Sequence, residues 1–198
     1  AETAHDVIVF TDIGMDPIIQ VLAALRLAPI QINGLGHPVA SGLPTVDYVF
    51  GSELMEPADA QEHYTEELVL VPNLLWYHDS ARIKVPALDA DTAMQGKVIY
   101  LCSQSLFKLL PQYDDIYARI AERVENSEFW FIRHRSDYVN NLFERRLERA
   151  FAAHGLPYRE FVVMQPRQDS DGFMRLNAAA DILLDSFIWS GNVSTLEG

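Results

Sequence analysis

Apolar, β-branched segments alternate with amphipathic segments along this chain, and the alternation predicts an α/β fold. Strands are predicted where short apolar runs are bounded by turn residues, at residues 6–10, 30–33, 48–50, 67–71, 98–102, 128–132, 161–164 and 182–184. Helices are predicted where apolar residues recur at helical spacing, at residues 18–27, 57–64, 114–124, 137–154 and 172–180. The order of elements indicates parallel sheets with helices on their faces.

Local sequence features predict the ends and the burial of several of these elements. Asp16 is placed to cap the first helix, with Pro17 as its first residue, and Gly155 is the expected C-terminal cap of the long helix. The strand at 182–184 is expected to be buried. The inward face of the long helix is predicted to consist of five apolar residues, namely Leu142, Phe143, Leu147, Ala150 and Phe151.

The strand and helix pattern falls into two blocks. Residues 1–72 form the first predicted unit, and residues 97–198 form the second. Residues 73–96 between them show mixed charge and no clear period, which predicts a linker. We therefore expect two Rossmann-like parallel-sheet units joined by a linker.

Composition narrows the classes of function. The chain has 198 residues, 49% of them hydrophobic, and a net charge of −13, so it can bury a core and is expected not to bind nucleic acid. It contains no apolar run long enough to span a membrane and no basic-then-apolar signal pattern. The single cysteine, Cys102, excludes an internal disulfide framework and favours a cytoplasmic protein. Histidines and cysteine show no metal-ligand spacing, and neither a P-loop nor a serine-elbow motif occurs.

Three loops follow predicted strands, where parallel sheets bind their ligands. They are the glycine-rich loop at 34–42, the segment 103–108 and the segment 189–195. In the last, Gly191 precedes a predicted helix start, whose free N–H groups attract anions. Ser194 and Thr195 could donate to a phosphate, and Glu197 could accept from ribose hydroxyls. The alternative is an ordinary capped helix after a strand.

Two further residues have candidate roles with an ordinary alternative. Lys108, one of three lysines, could place its charge on a diphosphate, or it could be a surface lysine. His37, in the glycine-rich loop, could be a base, a sugar contact or a structural donor. The catalytic base therefore stays unidentified, with His37 as the candidate.

Short motifs spread over nearly the whole chain carry a family resemblance through their order and spacing. The clearest are Asp12-Ile13-Gly14-Met15-Asp16-Pro17, Gly34-Leu35-Gly36-His37-Pro38-Val39-Ala40-Ser41-Gly42, Glu62-His63-Tyr64-Thr65-Glu66-Glu67-Leu68, Gln104-Ser105-Leu106-Phe107-Lys108 and Ser190-Gly191-Asn192-Val193-Ser194-Thr195-Leu196-Glu197. In this combination the chain resembles the O-linked N-acetylglucosamine transferase family, especially its bacterial SPINDLY-like and adhesin-glucosyltransferase branches.

The resemblance implies a metal-independent, inverting glycosyltransferase of the two-Rossmann (GT-B) architecture. It would move a sugar, N-acetylglucosamine or glucose, from a UDP-sugar donor to a Ser/Thr or Asn side chain of a protein, without a cofactor. By position, it implies a nucleotide site that comprises Gln104, Ser105, Lys108, Gly191, Asn192, Val193, Ser194, Thr195 and Glu197. It also implies a loop that approaches the donor sugar, with Leu35, Gly36 and Pro38.

The chain departs from the family at several positions. Phe107 stands where animal members carry a tyrosine, Phe173 where they carry a histidine, and Val193 where they carry a hydroxyl. The family's catalytic-region histidine lies upstream of the matching part. We therefore expect a central catalytic segment, truncated at both ends, that by itself binds nucleotide weakly or not at all.

Two other functions are compatible with the same fold. One is a non-catalytic module that binds a nucleotide sugar or a protein. The other is a sugar-nucleotide epimerase, which shares the two-unit plan by analogy of fold only.

Overall fold

A computed structural model describes residues 5–34, 37, 39–75, 96–188, 190–191 and 193–197 of the chain. The chain divides into two compact units, Ala1–Tyr77 and His78–Gly198. Most of the predicted linker, residues 73–96, lies outside the described residues, so its boundaries stay predictions. Within the described parts, no helix is both long and apolar enough to cross a membrane.

The first unit contains a parallel sheet of four strands in the order β1-β2-β3-β4. The strands are β1 (Val7–Phe10), β2 (Ile30–Asn33), β3 (Tyr48–Ser52) and β4 (Glu67–Val71). One helix, α1 (Pro17–Ala23), follows β1, and the Asp16 carboxylate caps it as predicted by accepting from the amides of Ile18 and Ile19 at 2.7 and 3.1 Å.

Two helix predictions in the first unit are wrong in extent. Helix α1 ends at Ala23 rather than residue 27, and the segment 57–64 contains only a 3₁₀ turn, Ala60–His63. The first of these segments runs towards Pro29, which restricts the residue before it to extended backbone. Val21 and Leu25, two apolar residues of the first segment, are 65% and 51% exposed.

The second unit contains a second parallel sheet, in the order β7-β6-β5-β8. Its strands are β5 (Val98–Cys102), β6 (Ser127–Ile132), β7 (Val162–Gln165) and β8 (Ile182–Leu183). Its helices are α2 (Asp114–Arg123), α3 (Asp137–Ala153), α4 (Tyr158–Phe161), α5 (Ser170–Ala179) and α6 (Val193–Glu197). The α/β prediction with two parallel sheets is confirmed.

Helices cover both faces of the second sheet. On one face, α2 and α3 bury Tyr117 and Phe143 against Phe129 and Phe131 of β6. On the other face, α5 packs Leu176 near the strand residues Ile99, Leu101 and Trp130. The strands therefore carry apolar residues on both faces, which is why they form continuous apolar runs in the sequence.

Two burial predictions in this unit need correction. Leu142 is 41% exposed, because the buried stripe of α3 consists of Asn140, Phe143, Leu147 and Phe151. The final strand, expected to be buried, is a two-residue edge strand in which Ile182 and Leu183 are 39% and 40% exposed. The C-terminal cap of α3 is confirmed, since Gly155 has φ +70°, the left-handed region that glycine adopts without strain.

The stripe of α3 gives a matched pair of substitutions. Leu147→Ala removes a side chain with 0% exposure and is expected to lower the free energy of unfolding by about 2–5 kcal/mol. Leu142→Ala, on the same helix, is expected to change it by about 0.5 kcal/mol or less. Urea titration followed by circular dichroism measures both, and equal losses would show that the helix packs on a different face.

Candidate functional site

The carboxyl edge of β5 brings several predicted site residues together. Strand β5 ends at Cys102, and a 3₁₀ turn, Leu106–Lys108, follows it closely. The ammonium nitrogen of Lys108 donates to the side-chain oxygen of Gln104 at 3.1 Å. The amide nitrogen of Gln104 in turn lies 3.4 Å from the hydroxyl of Ser194, the second residue of α6. Gln104 is only 5% exposed, so it fixes both neighbours from a buried position.

Asp185 organises the turn that leads to Gly191. One carboxylate oxygen accepts from the backbone amides of Ser186 and Gly191 at 2.7 and 2.9 Å, and the other accepts from the hydroxyl of Ser190. Partial burial raises the pKa of Asp185, but these hydrogen bonds and the positive charge of Lys108 outweigh it, so the pKa lies below its ordinary value. Asp185 therefore holds a negative charge beside Lys108 and was not singled out in the sequence.

Gly191 sits where a side chain does not fit. A Cβ atom at this position would lie 2.2 Å from the side-chain nitrogen of Gln104 and 2.2 Å from the hydroxyl of Thr195. The absence of a side chain lets three polar groups, on Gln104, Ser194 and Thr195, approach this backbone position. Such a close approach is the feature that a glycine before a helix provides in anion sites.

The remaining predicted nucleotide residues are only partly described. Ser105 and Val193 are exposed, and Thr195 is exposed at the start of α6. Asn192 lies outside the described residues, as does the side chain of Glu197, so the predicted ribose contact stays a prediction. Sequence analysis expected a helix after Gly191, and α6 is such a helix, although it has only 5 residues.

A cationic cleft at the same edge of the sheet was missed in the sequence. The cleft has a volume of about 320 Å³, and its polar lining includes Ser103, Gln104, Ser105, Arg133, Arg135 and Arg167. Arg133 and Arg135 follow β6, and Arg167 follows β7. Each arginine alone resembles a surface residue in the sequence, and only the parallel order of the strands gathers them. In a chain with net charge −13, this cleft concentrates positive charge.

The backbone that carries two of these arginines is held by a buried amide. The side chain of Asn140, 2% exposed, accepts from the backbone nitrogen of His134 at 2.8 Å and donates to its carbonyl at 2.9 Å. Arg133 also pairs with Glu144 at 3.1 Å. Among the described residues, Arg135 and Arg167 have no ion pair, so their charges remain available to a ligand.

In the first unit, the predicted sugar loop is described only at its ends and at His37. Leu35, Gly36 and Pro38 lie outside the described residues. The His37 ring lies against Gly14, where an added Cβ would be 3.2 Å from it. Glu66, 2% exposed, accepts from the amide of Ser41 at 2.7 Å and so anchors the far end of the loop. The role of His37 stays a prediction.

Neither metal nor thiol chemistry has a site in the part of the chain that the structure describes. No group of three or more metal-ligating side chains occurs there. Cys102 is fully buried in β5, and burial raises the pKa of its thiol to about 12, with the nearby charge of Asp185 acting in the same direction. A thiol with this pKa is not a nucleophile near neutral pH.

Comparisons with known proteins agree with the resemblance. The family model for glycosyl transferase family 41 matches residues 19–95. A probable UDP-N-acetylglucosamine–peptide N-acetylglucosaminyltransferase of Arabidopsis thaliana, SEC, is 25% identical over 179 residues, and a SPINDLY protein of Solanum lycopersicum is 28% identical over 177 residues. The chain is therefore similar to glycosyl transferase family 41.

The match to these relatives covers most of this chain and a small part of each relative. It covers 86% and 88% of this chain but only 18% of each relative. A mutant form of the O-GlcNAc transferase of Thermobaculum terrenum is similar in structure, with a TM-score of 0.79, 22% identity, and coverage of 97% of this chain and 36% of that one. This likeness shows the fold.

The hydrogen bonds of Asp185 predict a pH-dependent contribution to the stability of the fold. Asp185→Asn is expected to lower the free energy of unfolding by about 1 kcal/mol near neutral pH, because an amide is a weaker acceptor for the three donors around it. A carboxyl with a lowered folded-state pKa stabilises the fold above its unfolded pKa, and this stabilisation is lost as the pH falls through the folded pKa.

The difference between wild type and Asp185→Asn should therefore be full near pH 7 and shrink as the pH falls through the folded-state pKa of Asp185, which lies below its ordinary value. Urea titration at a series of pH values measures it. Glu125→Gln, an exposed carboxyl-to-amide change in the same unit, serves as the control and should show no difference at any pH. A difference that persisted unchanged in acid would show that the charge of Asp185 does not hold the turn.

Proposed function

We propose that this chain is part of a metal-independent, inverting glycosyltransferase that moves N-acetylglucosamine or glucose from a UDP-sugar to a protein side chain. Similarity to glycosyl transferase family 41 supports the proposal, as do the names of the relatives, which describe transfer of N-acetylglucosamine from its UDP form to peptides. The GT-B arrangement belongs to the same proposal.

The observation that carries the proposal is the fixed cation at the carboxyl edge of the second sheet. Lys108 is held by the buried Gln104, which also reaches Ser194 beyond the Gly191 turn. Ligands of parallel sheets bind at this edge. A lysine, hydroxyl groups and a turn that admits close backbone approach form a suitable site for a diphosphate.

The chemistry that such a site provides is stabilisation of the leaving group. When the sugar leaves its donor, negative charge grows on the diphosphate, and a positioned ammonium with nearby hydroxyl donors lowers the barrier. In this proposal Lys108 carries the charge, and Ser194 and Thr195 supply hydroxyl groups. UDP-sugar is a substrate here, so the step requires no cofactor.

The cationic cleft adds positive charge beside the Lys108 site. Arg135 and Arg167 present charges without a carboxylate partner among the described residues, next to Gln104 and Ser105. Positive charge concentrated in a cleft of an acidic protein attracts anionic ligands and raises their association rate. A nucleotide diphosphate is therefore favoured over a neutral sugar as the ligand of this edge.

The acceptor side of the reaction is proposed from the family alone. A protein Ser/Thr or Asn side chain would receive the sugar, and the protein would act in the cytoplasm. His37 stays the candidate base, and Leu35, Gly36 and Pro38 stay candidates for contact with the donor sugar.

Calorimetric titration of the chain with UDP tests the nucleotide site. Wild type is expected to bind UDP weakly, and Lys108→Ala to bind at least about tenfold more weakly still, because a charge-assisted contact contributes about 1.5–3 kcal/mol. Arg123→Ala, which removes an equal charge from the exposed end of α2, is the matched control and should bind as wild type does.

Three outcomes would contradict parts of this proposal. Preference for GDP over UDP would exclude a UDP-sugar as the donor. Equal losses in Lys108→Ala and Arg123→Ala would show a general effect of net charge rather than a site at Lys108. Binding of UDP without sugar transfer to protein by the longer protein would favour a non-catalytic binding module.

A further inference from the structure

Arg146 ties the helix α3 to the segment that carries Lys108. Its guanidinium donates to both carboxylate oxygens of Asp114, at 2.8 and 2.6 Å, and to the backbone carbonyl of Leu109 at 2.7 Å. Its carbon Cζ lies 5.5 Å from the centre of the Phe143 ring. The side chain is 18% exposed, so these contacts are largely shielded from water.

These contacts fix the chain immediately after Lys108. Leu109 is the next residue and is 4% exposed, and Asp114 begins α2 after the second 3₁₀ turn, Pro111–Tyr113. Strand β5 holds the other side of the Lys108 segment through its ladder to β6. The backbone between Cys102 and Asp114 is therefore held at both ends, and Arg146 supplies one of them.

We propose that Arg146 is a positioning residue for nucleotide binding, which acts by holding the turn that presents Lys108. The proposal rests on the proposed function, because it takes Lys108 as the residue that contacts the diphosphate. Arg146 itself does not line the described cleft. Its effect on a ligand must therefore pass through the Leu109 carbonyl and the turn before it.

The planar fork of arginine matters for this role. A guanidinium can donate to Asp114 and Leu109 at once, whereas a lysine ammonium is a single point on a flexible stem. Arg146→Lys keeps the charge and most of the length, so it tests the geometry of the contact. Arg145→Lys, at the neighbouring exposed position of the same helix, is the matched control.

A double-mutant cycle separates positioning from general stability. Arg146→Lys is expected to weaken UDP binding about fivefold to tenfold, a coupling in the range found for residues of one network. In the Lys108→Ala background the same change should weaken it no further. An equal loss in both backgrounds, or no loss in either, would overturn the proposal, and Arg145→Lys should leave the affinity unchanged.

Amide hydrogen exchange gives a reading that needs no ligand. The amides of Lys108 and Leu109 donate within the turn to the carbonyls of Ser105 and Leu106, at 2.9 and 3.2 Å. Arg146→Lys should speed exchange at these two amides relative to Arg145→Lys, while the amides of β6 stay protected. Unchanged exchange at these two amides would overturn the proposal for Arg146, whether or not wild type binds UDP. Failure of wild type to bind UDP would instead contradict the proposed function.

Discussion

The candidate site depends on the contacts that a single buried amide makes. Gln104 reaches Lys108 with its oxygen and Ser194 with its nitrogen. Gln104 and Ser194 are 90 positions apart in sequence. They meet because β5 and β8 are parallel neighbours whose carboxyl ends lie at one edge. Gln104 is therefore the side chain that bridges the cation and the hydroxyl group of Ser194.

Charge explains why this edge and not another attracts an anion. The chain is acidic overall, whereas at this edge Lys108 donates to the neutral Gln104, and Arg135 and Arg167 have no ion pair among the described residues. Asp185 lies nearby, but its carboxylate accepts hydrogen bonds from Ser190 and from backbone amides, and these bonds fix the turn. The edge therefore combines positive charge with a fixed backbone.

Sequence reasoning found the features that depend on neighbours along the chain. The Asp16 cap and the Gly155 cap follow from local backbone chemistry, and the parallel strands follow from their apolar runs. It failed where contacts join distant positions. Nothing local identifies β8 as an edge strand, relates Arg133 to Arg167, or pairs Asp114 with Arg146 across 32 residues. The predicted inward face of α3 wrongly included Leu142, which lies beside the buried stripe.

Nuclear magnetic resonance mapping of UDP on the isotope-labelled chain tests the central claim most directly. We expect the largest changes in amide chemical shift at Gln104, Ser105, Lys108 and Gly191, with smaller changes at the arginines of the cationic cleft. Shifts confined to the first unit, or scattered over the acidic surface, would contradict the claim that the carboxyl edge of the second sheet holds the nucleotide.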